Sequence, residues 1–581
     1  MSGRALSDVV LSRPAASAIP GPLDERLYDL VERRFRRLVR ANPVLATYVG
    51  IHTEDGRLGD GSRDATLHEL AAERDHLAAV ESLDPAGLST EASFERELEI
   101  HNVRRSLFDG ERLRFWERRS TAMDTVGEAL FLVFARDFAP LRERLESAAG
   151  RLAAIPAYLT TCRDRTPVPQ VRLWQRLEIE SAGDLPALFD EIVTAGRSAA
   201  LPSVEQAQLE RAAATARAAV VEYATWLEGT LDESVEDWAI GREAYDELIG
   251  LRAFDGLDAD AILEIGWRQL AEQKAARTAA AAEIDPTVDE AVVVERIKSD
   301  HPATFPEALD AYRDVMIRAR QALIDKEIVT VPVGERIEVI ETPDYLRNVI
   351  PFAAYFDPPK FDRDPSGIYV VTPFVTDGPA AMREHNRSSI SNTSIHEAYP
   401  GHHLQLSVAS AHPSLTRLTT EAPEFVEGWG MYSEQMMREQ GFDDAPNFRF
   451  NMHTDAIWRA CRIILDIKMH RGEIGVDEAI RWMVRQTNFE EPNARAEVHR
   501  YTYTPTYQLS YLLGKVLLLQ LREDERRRLG SSFSLRDFHD TLLRNGSLPI
   551  SFHRRLLREG SARRPRKSSG GPGPLDLAAK R

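Results

Sequence analysis

SIHEAYPGHHLQ, residues 394–405, places three histidines and a glutamate within eight positions. Two histidines one helical turn apart, as in HExxH, can share a zinc ion from one helix face. The glutamate after the first histidine then reaches a water as general base. In this chain the expected place of the second histidine is Pro400. The candidates are His402, six residues after His396, and His403, seven after. On an unbroken helix, six residues rise about 9 Å and turn the side chain to another face, and seven rise about 10.5 Å. Neither step lets two imidazoles bind one ion through bonds of about 2.0 Å. Pro400 removes a helix hydrogen bond, and Gly401 tolerates many backbone conformations. A Pro-Gly bulge could therefore absorb two residues without adding helical rise. His396 and His402 would then form the pair, with Glu397 beside the metal as base and His403 just outside. Alternatively the helix ends at Pro400 and both later histidines sit in a turn. Ser391 or Asn392 is the expected N-cap of the motif helix.

Downstream, residues 424–434 read EFVEGWGMYSE. Glu427 and Glu434 are seven apart, on one face if this is helix. Phe425, Val426, Trp429, Met431 and Tyr432 make a poor solvent face, and carboxylates among such neighbours require a cation. Glu427 would complete a His-His-Glu set with an open fourth position, the catalytic kind of zinc site. Glu434 is expected just outside that set, and a solvated acidic stripe is the plain alternative. Residues 496–514, AEVHRYTYTPTYQLSYLLG, gather His499, Arg500 and four tyrosines. Phenol O–H groups can donate to an oxyanion and arginine can clamp a carboxylate. Tyr507 and Tyr511 are the first candidates for catalysis, and His499, Arg500 and Tyr503 for substrate contact. A tyrosine-rich helix start that packs the core is the alternative. His470, four residues after Asp466, is a further candidate for substrate contact.

FVEGWGMYSE is similar to the FVExPSQ segment of the thimet oligopeptidase family of zinc peptidases. In that family the glutamate ligand follows the second histidine by roughly 25 residues, and here His402 to Glu427 spans 25. The fuller pattern, HEAYPGHHLQ followed by EGWGMYSE, more closely resembles a bacterial family of unknown function regarded as zincin-like. The resemblance runs from about 330 to 520. It implies a zincin-like catalytic region, Zn2+ as cofactor and metal-dependent hydrolysis. In thimet-type peptidases, a histidine followed by tyrosines at a similar place binds substrate and transition state. By the same analogy, the strand before the motif is an edge that pairs with substrate backbone.

Around the motif the chain reads as mainly α. Segments 25–40, 94–115, 203–231 and 258–284 carry apolar residues at helical spacing, with joints at Pro167, Pro169, Asp255-Gly256 and Asp285-Pro286. This divides the chain into a flexible N-terminus (1–21), a helical region (22–326) forming a cleft wall, a metal-binding catalytic region (327–560) and a disordered basic tail (561–581). The β-branched runs 328–341 and 367–374 predict a small sheet. The net charge of −18 disfavours nucleic acid as a partner. With only Cys162 and Cys461, a thiolate metal cluster or disulfide scaffold is excluded, so any metal falls to histidines and carboxylates. Apolar runs such as 129–135 are far shorter than the ~18 residues of a membrane span. The N-terminus lacks the apolar core of a secretory signal, so a cytoplasmic protein is expected. The expected function is zinc-dependent hydrolysis of amide bonds in short peptides. The alternatives are a metal-dependent hydrolase of a non-peptide amide or ester, and a non-enzymatic helical interaction protein.

Overall fold

The computed structural model describes residues 21–562, apart from 167–168, 344–346, 348–349, 351, 363–364 and 374–377. The expected flexible N-terminus and basic tail, and Pro167, lie essentially outside the described residues. The fold is mainly helical with one small sheet. Among the described residues, no helix is long and apolar enough to cross a membrane.

In the N-terminal half, helices α1 (Ala122–Ala135), α2 (Leu141–Arg165), α3 (Arg172–Ser198) and α4 (Ser203–Gly229) pack on one another. Leu130, Leu152, Phe189 and Val220 are buried at their shared core. Each such side chain contributes about 1.5–3 kcal/mol by leaving water. Two further helices follow, α5 (Ala259–Ile284), capped by the Asp258 carboxylate, and α6 (Phe305–Asp325), capped by Thr304.

α5 and α6 do not belong to the first core. Ile262, Leu270, Tyr312 and Val315 join the second core, which runs from Tyr245 to Leu557 and encloses the motif. The expected division at 326/327 therefore misses where the packing changes. Periodicity shows that α5 has an apolar face but not which helix covers it. That partner is the helix Pro446–His470: a Cβ on Gly266 would lie 2.9 Å from Ile463.

The sheet has three strands, β1 (Ile337–Glu341), β2 (Ala353–Phe356) and β3 (Gly367–Val371), in the order β1-β3-β2. β3 pairs parallel with β1, Ile337 opposite Gly367, and antiparallel with β2, Ala353 opposite Val371. Two expectations change here. Residues 328–336 are not strand: Pro332 cannot donate to a ladder, Gly334 turns at φ +84°, and Thr330 N–H instead donates to Asp540. Strand 367–371 is central, with both edges taken, so its backbone is not open to a substrate strand. β2 was not expected from the sequence.

The elements that carry the motif are α7 (Arg387–Glu397), α8 (His402–Ala409), α9 (Pro423–Glu439), α10 (Pro446–His470), α11 (Glu491–Tyr501) and α12 (Ser510–Leu529).

Candidate metal centre

α7 starts at Asn386, whose side chain accepts the Ser389 N–H at 3.0 Å. The N-cap is thus neither Ser391 nor Asn392. Ser391 bonds Asp443, and Asn392 points inward, donating to Glu434 Oε2 at 3.0 Å and Asp455 Oδ2 at 2.8 Å.

The helix breaks after Glu397. Tyr399-Pro400 is cis, and Gly401 N–H reaches back six residues to the Ile395 carbonyl at 3.0 Å. α8 begins at His402, so two residues are looped out where an ordinary turn would have closed. The Gly401 φ of −64° is unremarkable in sign, and the need for glycine is space. A Cβ there would lie 1.8 Å from the His396 carbonyl oxygen. Trp429 fastens the loop from outside, donating its indole N–H to the Pro400 carbonyl at 2.8 Å.

This break brings His396 and His402 together, their rings perpendicular with centroids 4.7 Å apart. Glu427 on α9 faces both. Its Oε2 lies 3.5 Å from His396 Nε2 and 3.4 Å from His402 Nε2. Those separations are long for a direct N–H···O hydrogen bond. They match the ~3.3 Å between neighbouring ligand atoms of a tetrahedral zinc ion with bonds of about 2.0–2.1 Å. A Glu397 oxygen also lies within 4.8 Å of the ligand atoms of both histidines. The donor set suits zinc: two imidazoles, one carboxylate, and a second carboxylate beside them.

Glu434 sets the tautomer. Its Oε1 is 2.7 Å from His396 Nδ1, so when the ring gives up one proton to bind a metal the other is held on Nδ1 and Nε2 is turned toward Glu427. Glu434→Gln is expected to weaken zinc binding about 10–100-fold, the usual cost of losing such an outer partner. Competition against a fluorescent chelator measures it, and unchanged affinity would remove Glu434 from this role.

Charge tells the same story. Burial disfavours the His396 imidazolium, but the carboxylates of Glu427 and Glu434 outweigh it and lift the group to about 10. Burial pushes Glu397 above its usual range and Asp455 up to about 6. Burial would also raise Glu427, but His396 and His402 hold it well below the carboxylate range. Four buried or half-buried carboxylates around two imidazoles form a pocket that favours positive charge.

α9 fits against its neighbours through glycine. A Cβ on Gly430 would lie 2.7 Å from the His396 ring. A Cβ on Gly428 would lie 2.6 Å from the Gly514 backbone, and one on Gly514 2.0 Å from the Glu424 carbonyl. Two glycines inside a helix cost about 1 kcal/mol each relative to alanine, so Gly428 and Gly430 signal close packing. They and Gly514 are the residues that sequence reasoning missed with a readable signal present.

Tyr507 donates to Glu427 Oε1 at 2.8 Å, and Tyr511 stands against it with ring centroids 6.0 Å apart. Burial and the nearby Glu427 push the Tyr511 phenol up to about 12. The turn that presents Tyr507 is pinned from below. Asp466 accepts the Thr506 N–H at 2.8 Å and the Tyr245 hydroxyl at 2.6 Å.

The other candidates lie elsewhere. His470 is fully buried and bonds the Tyr501 carbonyl at 2.8 Å, so it braces α11 and touches no substrate. His499 has Arg495 and Asp477 as its charged neighbours, away from the histidine pair. Tyr503 lies under the Arg119 guanidinium, 3.9 Å from its ring centroid, and joins the N-terminal half to this segment. Spacing along a tyrosine-rich segment does not say which rings face the metal pocket. Arg500 bonds Glu497. His403 turns away: Nδ1 meets the Tyr355 hydroxyl at 2.9 Å, tying α8 to the sheet.

Fold and site together define a mainly helical protein with a His–Glu cluster gathered at a broken helix. The chain belongs to the family described as "Bacterial protein of unknown function (DUF885)", which it matches over residues 43–557. It is similar to a solved structure titled as a "putative lipoprotein of unknown function" from Shewanella oneidensis. That likeness has a TM-score of 0.76 and 22% identity, and covers 92% of this chain and 99% of the other. It is also similar to the structure of a "putative lipoprotein" from Colwellia psychrerythraea, with a TM-score of 0.78, 19% identity, and coverage of 93% and 100%. At these identities the likeness is one of fold. No curated protein matches the chain.

Proposed function

We propose that this protein is a zinc-dependent hydrolase of amide bonds in short peptides, built on a zincin-like catalytic region. The observation that carries this is the approach of His396 Nε2 and His402 Nε2 to one oxygen of Glu427, at 3.5 and 3.4 Å, with Glu397 alongside. His396, His402 and Glu427 hold the metal. Zinc, when bound, supplies Lewis acidity at neutral pH. Glu397 accepts a proton from the attacking water and returns it to the leaving amine. Its raised proton affinity suits that exchange. Tyr507 holds Glu427 in place, and Tyr511 is the donor left for the developing oxyanion. The N-terminal helices form one wall of the cleft, with Trp174 donating to Thr502 at 2.8 Å just before the tyrosine turn.

The test is metal analysis of the purified full chain alongside hydrolysis of an internally quenched peptide library and a panel of small esters and non-peptide amides. One zinc per chain with peptide cleavage is expected. Cleavage of the small esters alone would move the substrate class, and a chain that binds no zinc would end the proposal.

The lipoprotein titles belong to the two neighbours. We keep the cytoplasm as the proposed location, and fractionation of cells expressing the full-length gene tests it.

A further inference from the structure

Beyond the histidine pair, α10 and α11 bring three guanidinium groups near Tyr511 on α12. The central carbon of Arg462 lies 4.6 Å from that ring's centroid and that of Arg459 5.9 Å. Arg500 joins them through Glu497, which it shares with Arg462 at 3.0 and 2.8 Å.

The hydrogen bonding of this corner is incomplete. Arg462 is 2% exposed, yet its Nη1 has no hydrogen-bond partner. Arg459 Nε and Nη1 are likewise buried without one. The nearest acid to Arg459 is Asp455 at 3.7 Å, beyond hydrogen-bond reach, and Asp455 already serves Asn392. Among the described residues, the carboxylates within 4.0 Å of these guanidinium groups are those of Glu497 and Asp455, and three donor nitrogens stay unpaired. Burying guanidinium N–H groups without acceptors is costly unless a ligand supplies them.

The corner is one tyrosine away from the metal pocket. Tyr511 stacks edge-on to Tyr507, and Tyr507 bonds Glu427. Arg459, Arg500, Tyr511 and Glu397 are all only partly buried. The planar fork of arginine fits a carboxylate through paired N–H groups.

We propose that Arg459, Arg462 and Arg500 form a carboxylate-binding subsite beside the His396–His402–Glu427 pocket. The substrate is then a short peptide whose free carboxylate lies within a residue or two of the bond to be cut. This rests on the hydrolase assignment above for what is cut, but not for what is bound. The carboxylate comes from the peptide C-terminus or from an acidic side chain near it.

Calorimetry on the zinc-loaded full chain carrying Glu397→Gln, which prevents turnover, tests the subsite with three probes. These are N-acetyl-trialanine, its C-terminal amide, and the amide with aspartate as last residue. The free acid is expected to bind about 10- to 100-fold more tightly than the neutral amide, as for a hydrogen bond to a charged group. Adding Arg459→Gln should shrink that preference to about threefold or less, and Arg462→Lys, which keeps the charge but loses the fork, should reduce it in part. If the aspartyl amide matches the acid, the subsite takes side-chain carboxylates. If it binds like the neutral amide, the C-terminus is the ligand. Equal binding of acid and neutral amide, or a preference intact in Arg459→Gln, overturns the proposal. The acid–amide comparison needs no arginine variant, so a misfolded variant does not block it. Cleavage of the same acid by the unaltered protein is scored separately: acid-selective binding without cleavage ends the hydrolase assignment and leaves the subsite standing.

Discussion

His402→Ala is expected to purify without zinc, while His403→Ala keeps a full equivalent. The two residues are neighbours in sequence but face opposite ways. His402 turns Nε2 toward Glu427 at 3.4 Å, and His403 bonds the Tyr355 hydroxyl at 2.9 Å. Burial pushes the His403 imidazole down to about 3, so it sits neutral between α8 and the sheet. Removing His402 takes away one of the three proposed protein ligands, and the affinity loss should exceed the ~10–100-fold typical of an outer-partner mutation. Removing His403 opens a cavity instead, costing about 2–5 kcal/mol of stability, visible as a lower Tm with zinc retained. Gly401→Val tests the same geometry from outside the ligand set. Its side chain would overlap the His396 carbonyl, so the histidine pair should separate and zinc affinity fall. Metal content by mass spectrometry decides between these outcomes. Zinc lost from His403→Ala and kept in His402→Ala would move the ligand by one residue.

Glu397→Gln is expected to keep its zinc and lose peptide hydrolysis by about 10²–10⁴-fold, or ~3–5 kcal/mol of barrier. Glutamine has the same shape and removes only the ability to take a proton. Glu397 adjoins the pocket but is not the carboxylate between the two histidines, a position held by Glu427. Zinc stoichiometry and kcat measured on one preparation separate base from ligand. Loss of metal together with activity would show that Glu397 coordinates, and the roles of the two glutamates would have to be exchanged.

How much of this could be seen in the sequence varies with the range of the interaction. The break at Pro400-Gly401 was legible because it is local: a proline and a glycine stand where one more helical turn would have separated His396 from His402. Glu427 was legible because its apolar neighbours left no solvent face for it. The helical segments near 203–231 and 258–284 hold almost to the residue, as α4 and α5. What the sequence leaves open is long-range. Glu434 was expected just outside the ligand set and lies there, but nothing in either segment alone says which nitrogen it faces across 38 residues. His470 sat one turn from Asp466 and looked like a contact residue, yet both are buried supports, one for Tyr501 and one for Thr506. The arginines of the carboxylate corner come from two helices and stand out only once folded, because in sequence each has an acidic residue within five positions. Run 328–336 read as strand by its β-branched residues, but Pro332 and Gly334 leave no ladder to join.

The contact between Gly428 and Gly514 has a mechanical consequence. With no side chain between them, α9 and α12 meet backbone to backbone and interlock, so neither can slide or roll against the other without a clash. Glu427 rides on α9, and Tyr511 rides on α12. The spacing of Glu427 and Tyr511 is therefore set by a backbone contact, not by side chains that could repack.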